Sequence, residues 1–415
     1  MTRSIKLALA AAMALGATSA FATNGDTLIG LGAKTRGMGG IGIGMSHGAE
    51  SGLANPAMIT TVKGTEISFG GTLFMPKVKY DGGAGYQDSD ADMNMIPEVS
   101  IANEAVKDTF YWGIGMWGTA GMGVDYRDAG SAATGGNGTL QMVTNLQLMQ
   151  FGIPLAFKVE GLSLGVTPIL QYGALDINYQ MPAGDGVNYQ TVGAGIAQDL
   201  KFGFNVGVGY DFSAVGVNGL TLGAVYKSPI EMEYKQQLSS ATAPFNAVGV
   251  SIDDKLEQPA EIGVGVSYKF EGSTIAFDYK QIKWADAKGY KDFGWDNQNV
   301  YAIGYEFAMD NWAARLGYNF GENPIKEQPG SLPNFDGAAL NMFNLLGFPA
   351  VVESHYTIGG TYGFNKQLSL DGAFTFAPET EVTYDTSALA ALGMGTSASV
   401  KHSQYGVTVQ LNYAF

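Results

Sequence analysis

Hydrophobic and polar positions alternate along most of the chain with a period of two residues. The C-terminal segment 405–415 is the clearest case, because apolar or aromatic side chains occupy every second position and Gly, Thr, Gln, Asn and Ala occupy the others. Successive side chains of a β-strand point to opposite faces. The pattern therefore predicts a strand with one apolar face and one small, polar face, and it recurs at 202–212, 262–270 and 368–376.

Fourteen segments of this kind follow the first sixty residues. The predicted strands lie at about 65–80, 95–103, 109–121, 143–159, 162–178, 199–213, 219–235, 255–270, 273–287, 296–308, 312–321, 353–364, 367–381 and 400–415. Short turns and long connections alternate between them, and the longest connection runs from about 321 to 352. An even number of strands, with short turns at one end and long loops at the other, is typical of an outer-membrane β-barrel.

A soluble β-sandwich is the alternative, because its strands alternate as well. The polar face of a soluble strand meets bulk water and would carry many Lys and Glu, whereas Gly, Ser, Thr and Asn dominate here. We therefore expect an all-β fold, a transmembrane barrel of fourteen antiparallel strands. Pairing of the last strand with the first would remove the exposed sheet edges.

The first 22 residues have the features of a secretory signal peptide. Arg3 and Lys6 precede an apolar run over 7–15, and Ala20-Phe21-Ala22 provides a small-x-small cleavage site. A membrane anchor is the alternative, but the apolar run is too short for it. No later segment reaches the ~18 apolar residues of a spanning helix. These features predict export to the bacterial outer membrane.

Composition excludes several classes of function. The formal net charge is −15 and becomes −17 without the two basic residues of the signal peptide, which opposes nucleic-acid binding. Cysteine is absent, so neither disulfides nor thiolate metal sites hold the fold together. Glycine occupies 59 of 415 positions and aromatic residues 12%. Both values suit a β-rich exported protein.

Residues 23–64 do not alternate and are rich in glycine and other small residues. A barrel of fourteen strands has a lumen wider than its own side chains can fill. We therefore expect segment 23–64 to be an N-terminal hatch that plugs the lumen of a barrel formed by 65–415. Glycine would allow close packing and unusual backbone angles in that confined space.

The ordered combination of these features resembles a known family. A signal peptide, a Gly-rich segment ending in Asn55-Pro56-Ala57 and fourteen strands ending in Phe resemble the FadL/TodX family of outer-membrane fatty-acid and hydrocarbon transport proteins. Further similarities are Tyr226-Lys227-Ser228-Pro229, Gln258-Pro259-Ala260-Glu261 and Arg315-Leu316-Gly317-Tyr318. The resemblance implies a luminal hatch, loops that collect substrate, an internal pocket and a kinked third strand that opens the wall sideways.

The third predicted strand loses its alternation part-way along. Trp117 is followed by Gly118, Gly121 and Gly123, and glycine inside a strand often marks a bulge or a bend. Together with the resemblance, these four residues are predicted to form a lateral gate. The alternative is an irregularity of the barrel rim with no role in transport.

Six charged residues point inward by strand parity: Lys227, Glu261, Asp278, Lys280, Glu306 and Arg315. We expect opposite charges to compensate one another or to hold the hatch. Alternatively, Lys227, Lys280 or Arg315 binds a substrate carboxylate through a charge-assisted contact. In the long connection 321–352, Phe343 and Leu346 are spaced for one face of a helix. They either pack the loop onto the barrel rim or form an apolar landing site for substrate.

The sequence contains few candidate catalytic residues. The histidines are His47, His355 and His402, and the last two begin predicted strands near the outer rim beside Ser354 and Ser403. Neighbouring residues of one strand face opposite sides, so neither Ser–His pair can form a hydrolase site alone. We therefore expect neither an enzyme nor a cofactor or metal site.

The expected function is passive uptake of hydrophobic compounds, either long-chain fatty acids or hydrocarbons, with lateral exit at the third strand. The main rival is a general or polar-solute porin, followed by an adhesin or structural barrel and a rim hydrolase. Expected partners are a hydrophobic small molecule, outer-membrane lipid, lipopolysaccharide and the barrel assembly machinery. Tyr413 and Phe415 resemble the terminal signal that this machinery reads. We expect a monomer that binds no nucleic acid.

Overall fold

A computed structural model describes residues 23–130, 138–182 and 188–415. The predicted signal peptide lies outside the described residues, so its boundary at residue 22 and the division at 64 stay predictions. Within these described ranges, nineteen strand segments form one antiparallel sheet, in which fourteen strands cross the wall of a closed barrel. The last strand pairs with the first wall strand from Ser399–Asp81 to Ala414–Glu66, which completes the closure.

The wall strands occur in chain order, and each pairs with the next. They are β3 (Thr65–Asp81), β5 (Asn94–Val106), β6 (Phe110–Asp125), β7 (Val143–Gly152) continued by β8 (Leu155–Val159), β9 (Leu162–Pro182), β11 (Ala197–Asp211), β12 (Leu220–Lys227), β15 (Glu261–Phe270), β16 (Ser273–Ile282), β17 (Gln298–Ala308), β18 (Trp312–Gly321), β19 (Ser354–Gly363), β20 (Leu368–Asp385) and β21 (Ser397–Ala414). Shorter strands are β1 (Thr23–Asn24), β2 (Thr27–Leu28), β4 (Gln87–Asp88), β10 (Tyr189–Gly193), β13 (Ile230–Glu233) and β14 (Lys255–Gln258).

Prolines interrupt three of the predicted strands. Pro154 separates β7 from β8, Pro229 follows the end of β12, and Pro259 precedes β15. Proline has no N–H to donate to a sheet ladder, so it is found at strand ends and bulges. The predictions of continuous strands at 219–235 and 255–270 were therefore wrong, because β13 and β14 pair with each other in a separate two-stranded ribbon.

Aromatic side chains form two belts on the outward face of the barrel. In the upper belt, rings on adjacent strands lie 5.1 Å apart at Tyr318–Tyr356 and 5.3 Å apart at Phe376–Tyr405. The lower belt, at the end with the short turns, includes the Tyr413–Phe415 pair at 5.5 Å. Such belts mark the two membrane interfaces of a barrel. Among the described residues, no helix is both long and apolar enough to span a membrane.

The hatch fills the part of the lumen near the short turns. It contains the helices Ala33–Gly37 and Ser51–Ala54 and the 3₁₀ helices Gly48–Glu50 and Pro56–Thr61, and most of its residues are buried. Its backbone approaches the wall closely: Gly39 has φ 71°, and a Cβ there would lie 2.8 Å from backbone atoms of Tyr318. This burial and these close contacts support the predicted luminal hatch.

Long connections fold inward over the opposite end of the lumen. The helix Phe335–Gly347 of the longest connection is buried along most of its length. It belongs to a large apolar core that also contains Trp284, Tyr290 and Trp295, whose ring centroids lie 4.6–5.1 Å apart. The lumen thus has an apolar end beneath the loops and a hatch-filled end beside the short turns.

Candidate transport site

A cavity of ≈ 90 Å³ lies inside the barrel between the hatch and the wall. Large aliphatic side chains form one part of its lining, which also contains twelve polar or charged residues. The aliphatic side chains come from the hatch (Leu28, Ile29, Leu31, Ile43 and Leu53) and from the wall and its extensions (Ile230, Ile282 and Val300). Such a surface can bind an apolar molecule by removing it from water.

One side of the cavity carries a cluster of two lysines and one glutamate. Lys227 on β12 lies directly opposite Glu261 on β15, and its Nζ is 2.9 Å from Oε1 of that carboxylate. Lys280 on β16 approaches Oε2 of the same carboxylate at 3.3 Å. Glu261 therefore holds both ammonium groups, and its side chain is buried.

Asp278 fixes the hatch to the wall at the same cavity. Its carboxylate accepts backbone hydrogen bonds from three consecutive hatch residues, Gly42 and Ile43 at 2.8 Å and Gly44 at 3.1 Å. Three N–H groups that converge on one carboxylate form a strong, charge-assisted contact.

Arg315 lies apart from this cavity and does not line it. Its guanidinium donates to Glu306 Oε2 and to Thr361 Oγ1, both at 2.7 Å. The structure thus brings Lys227 and Lys280 together but leaves Arg315 in a separate ion pair. A role of any of the three in substrate binding stays a prediction.

The first helix of the hatch is held by wall residues that the sequence did not single out. Gly32 N donates to Glu98 at 2.8 Å, and Ala33 N donates to Gln410 at 3.0 Å. Arg36 forms a buried ion pair with the same Glu98. The alternation of β5 and β21 predicts that Glu98 and Gln410 face the lumen. It does not predict which hatch group each of them would bind.

The Asn55-Pro56-Ala57 motif links the hatch to another part of the wall. Asn55 Nδ2 donates to the carbonyl oxygens of Ile43 at 2.9 Å and of Val208 on β11 at 3.2 Å, while its Oδ1 accepts from Ala57 N at 3.1 Å. Pro56 begins the 3₁₀ helix that follows. The motif therefore stabilises the hatch against the strands.

The third wall strand, β6, bends into the lumen at the predicted glycines. Its ladder with β5 ends at the pair Glu98–Trp117, and its register with β7 shifts between Gly118 and Ala120. All residues from 117 to 125 are buried, although alternate residues of a regular wall strand face lipid. The bent part contacts the hatch through an Ala120–Thr27 bridge.

The upper end of β5 therefore has no ladder partner on its β6 side. Ile96 lies there, and a Cβ placed on Gly118 would be 2.6 Å from Ile96 Cγ2. Thr119, within the register shift, lines the cavity. A side chain rather than a row of backbone hydrogen bonds thus closes the wall beside the cavity. The gate role of Trp117, Gly118, Gly121 and Gly123 stays a prediction.

The other predicted site residues occupy two different environments. Phe343 and Leu346 are buried, and Phe343 packs edge-on against Tyr179 and Phe245 at 5.9 and 5.2 Å. They form no exposed landing surface in this structure, so a landing role stays a prediction. Tyr413 and Phe415 are exposed on the outer face, as an assembly signal requires, and that role also stays a prediction.

Among the described residues, the histidines form no Ser–His pair of the catalytic type. His355 Nε2 lies 3.0 Å from Gln404 Oε1, and His402 Nδ1 lies 2.8 Å from the carbonyl oxygen of Pro349. Both rings are buried inside the barrel rather than exposed at its rim. Within the described ranges, no group of three or more potential metal ligands is present.

Comparisons with known proteins match nearly the whole chain. The family described as "Outer membrane protein transport protein (OMPP1/FadL/TodX)" matches residues 7–415. The chain belongs to the OMPP1/FadL/TodX family. This is a family of outer-membrane transport proteins and not of enzymes, which confirms the predicted family, location and absence of an enzymatic role.

Individual relatives show how far the sequence has diverged within the family. The long-chain fatty acid transport protein of Escherichia coli (strain K12) is 24% identical over 428 aligned residues, covering 88% of this chain and 90% of the relative. A FadL homologue of Pseudomonas aeruginosa has a similar fold, with a TM-score of 0.71 at 15% identity, covering 94% of this chain and 100% of that chain. The P. putida toluene transporter TodX gives 0.68 at 17% identity, covering 93% and 99%.

Proposed function

We propose that this protein mediates passive uptake of hydrophobic compounds, long-chain fatty acids or hydrocarbons, across the bacterial outer membrane. The substrate enters from the loop end, binds in the cavity and leaves sideways at the bend of β6. The observation that carries the proposal is the continuity between the cavity and the irregular wall, since Thr119 lines the cavity beside Gly118 and Ile96.

The aliphatic lining supports capture. Each buried CH₂ group contributes about 0.8 kcal/mol, so about ten buried methylenes supply the roughly 8 kcal/mol of micromolar binding. The same affinity opposes release into periplasmic water. Exit into the membrane avoids that step, because the apolar chain passes directly from one apolar medium to another.

The hatch supports a sideways route. Buried contacts to Glu98, Asp278 and Gln410 hold it across the lumen below the cavity. A straight path to the periplasm would require several of these charge-assisted hydrogen bonds to break together. Between Ile96 and β6 the wall lacks ladder hydrogen bonds, so a side-chain movement there can open a path. The filled lumen likewise disfavours the porin alternative.

Uptake by a strain that lacks the gene tests the proposal. Wild-type, deletion and complemented cells are given limiting concentrations of radiolabelled fatty acids, alkanes and alkylbenzenes, with a monosaccharide as the polar control. We expect deletion to slow uptake of at least one hydrophobic class several-fold and to leave sugar uptake unchanged. Slower sugar uptake with unchanged hydrophobic uptake would instead favour a porin.

A further inference from the structure

We propose that the cavity selects substrates in an uncharged form, such as hydrocarbons, alcohols or esters, over ionised fatty acids. The inference rests on the proposed function of the cavity as the substrate site. It follows from the charges that line the cavity and from the partners that each of them already has.

The lining charges cancel. Among the described residues that line the cavity, the ionisable side chains are Lys227, Lys280, Glu261 and Asp278. Their formal sum is zero, so the cavity offers an arriving carboxylate no net positive charge. A site built for an anion would be expected to carry a surplus of cations.

Glu261 occupies the position that a substrate carboxylate would need. Its two oxygens take the two lysines at 2.9 and 3.3 Å, an arrangement in which one carboxylate satisfies both ammonium groups. A fatty-acid carboxylate could reach either lysine only beside this buried negative charge. Repulsion between the two carboxylates would offset the attraction to the lysines.

Asp278 adds a second negative charge, and its carboxylate is held in position at the cavity. Its carboxylate is fixed by three hatch N–H groups, which are neutral dipoles and leave its full charge in place. The third candidate cation, Arg315, is bound to Glu306 and does not line the cavity. The remaining lining consists of aliphatic, glycine and uncharged polar residues, and it favours an uncharged molecule.

Matched ligands separate charge from chain length. Purified full-length mature protein in a non-ionic detergent is titrated calorimetrically with 1-octanol and with octanoate at about pH 8, where a carboxylic acid of ordinary pKa is ionised. Micelle partition is measured in protein-free detergent and subtracted. We expect 1-octanol to bind at least tenfold more tightly than octanoate.

Glu261→Gln tests the cause of the preference. It removes one negative charge and releases two lysines, so octanoate binding relative to 1-octanol should tighten at least tenfold. The double variant Glu261→Gln/Lys280→Met restores the formal sum to zero and should return octanoate to the wild-type value. A heat-modifiable electrophoretic shift checks that each barrel is folded.

Four outcomes have distinct meanings. Octanoate binding to the wild type as tightly as 1-octanol overturns the inference and leaves the proposed function intact. An unchanged ratio in folded Glu261→Gln also overturns it, because Glu261 would then not control selection. If the single variant does not fold, the double variant still tests the inference. Octanoate that binds the double variant much more tightly than the wild type overturns the claim that the zero net charge of the lining controls selection. Absence of binding by either ligand to the wild type counts against the proposed function itself.

Discussion

At the residue scale, the luminal charges show what the sequence could predict. Strand parity places Lys227, Glu261 and Lys280 inside the barrel, and the structure agrees. Parity does not give the register between strands, so it cannot say that one glutamate holds both lysines. The contact of Asp278 with the hatch backbone was equally inaccessible, because its partners are N–H groups that any residue could provide.

Asp278→Ala should loosen the hatch without unfolding the barrel. The change removes the acceptor of three hydrogen bonds, and each bond to a charged group contributes about 1.5–3 kcal/mol. We expect ion conductance in planar bilayers to rise several-fold over the wild type. Asp253→Ala is the matched control, because the Asp253 carboxylate accepts from Lys255 N within its own loop. Equal conductance of the two variants would show that Asp278 does not anchor the hatch.

The contact between Gly118 and Ile96 can be measured directly. A Cβ at position 118 would lie 2.6 Å from Ile96 Cγ2, which is too close without a shift. Gly118→Ala should therefore destabilise the barrel, and it should do so less in an Ile96→Ala background. Urea denaturation of the four proteins should give a coupling energy of about 1 kcal/mol. Additive effects would mean that Ile96 does not close the wall at this glycine.

At the element scale, the alternating pattern predicted the existence and order of the strands but not their interruptions. The prolines at 154, 229 and 259 were visible in the sequence, yet alternation on both sides of them suggested continuous strands. The bend of β6 was better marked, because its glycines coincide with the loss of alternation. The bent part also forms a β-bridge between Ala120 and Thr27 of the hatch. A local sequence pattern cannot predict this contact, because the two residues are far apart in the chain.

Deletion of residues 23–59 should leave a barrel that still inserts into membranes. The wall strands alone carry the lipid-facing surface and the closing pair β3–β21. Without the hatch the lumen should conduct ions far more than the wild-type protein does. Single-channel recording in planar bilayers measures the difference. A deletion protein that is folded yet as poorly conducting as the parent would show that the segment is not the plug.

At the scale of the whole molecule, closure and membrane position both follow from the sequence. The terminal strand pairs with β3 along its length, and its outward residues run from Tyr405 in the upper belt to Tyr413 and Phe415 in the lower one. The lumen is filled from both ends, and the sequence predicted the filling at one end only. The hatch was expected, whereas the inward folding of the loop helix Phe335–Gly347 depends on aromatic contacts far apart in the chain.

Removal of Phe415 should reduce assembly of the barrel. Its ring contributes to the lower belt, and its backbone exchanges hydrogen bonds with Thr65 at 2.8 and 2.9 Å. Phe415→Asp keeps the chain length but places a charge at the interface, so both variants should lower the amount of folded protein several-fold. Immunoblots of outer-membrane fractions, with and without heating, measure it. Wild-type amounts of heat-modifiable protein in both strains would refute an assembly role.

Sideways exit at β6 is the central claim, and the double variant Gly118→Val/Gly121→Val tests it most directly. Valine favours a regular strand and adds bulk at the bend. The control is Gly372→Val on β20, where a Cβ would have no atom nearer than 3.9 Å. Uptake of radiolabelled hydrophobic substrate is measured together with its binding to purified, heat-modifiable protein. We predict that the double variant binds substrate like the control but takes it up several-fold more slowly; normal uptake by the folded double variant would contradict exit at β6.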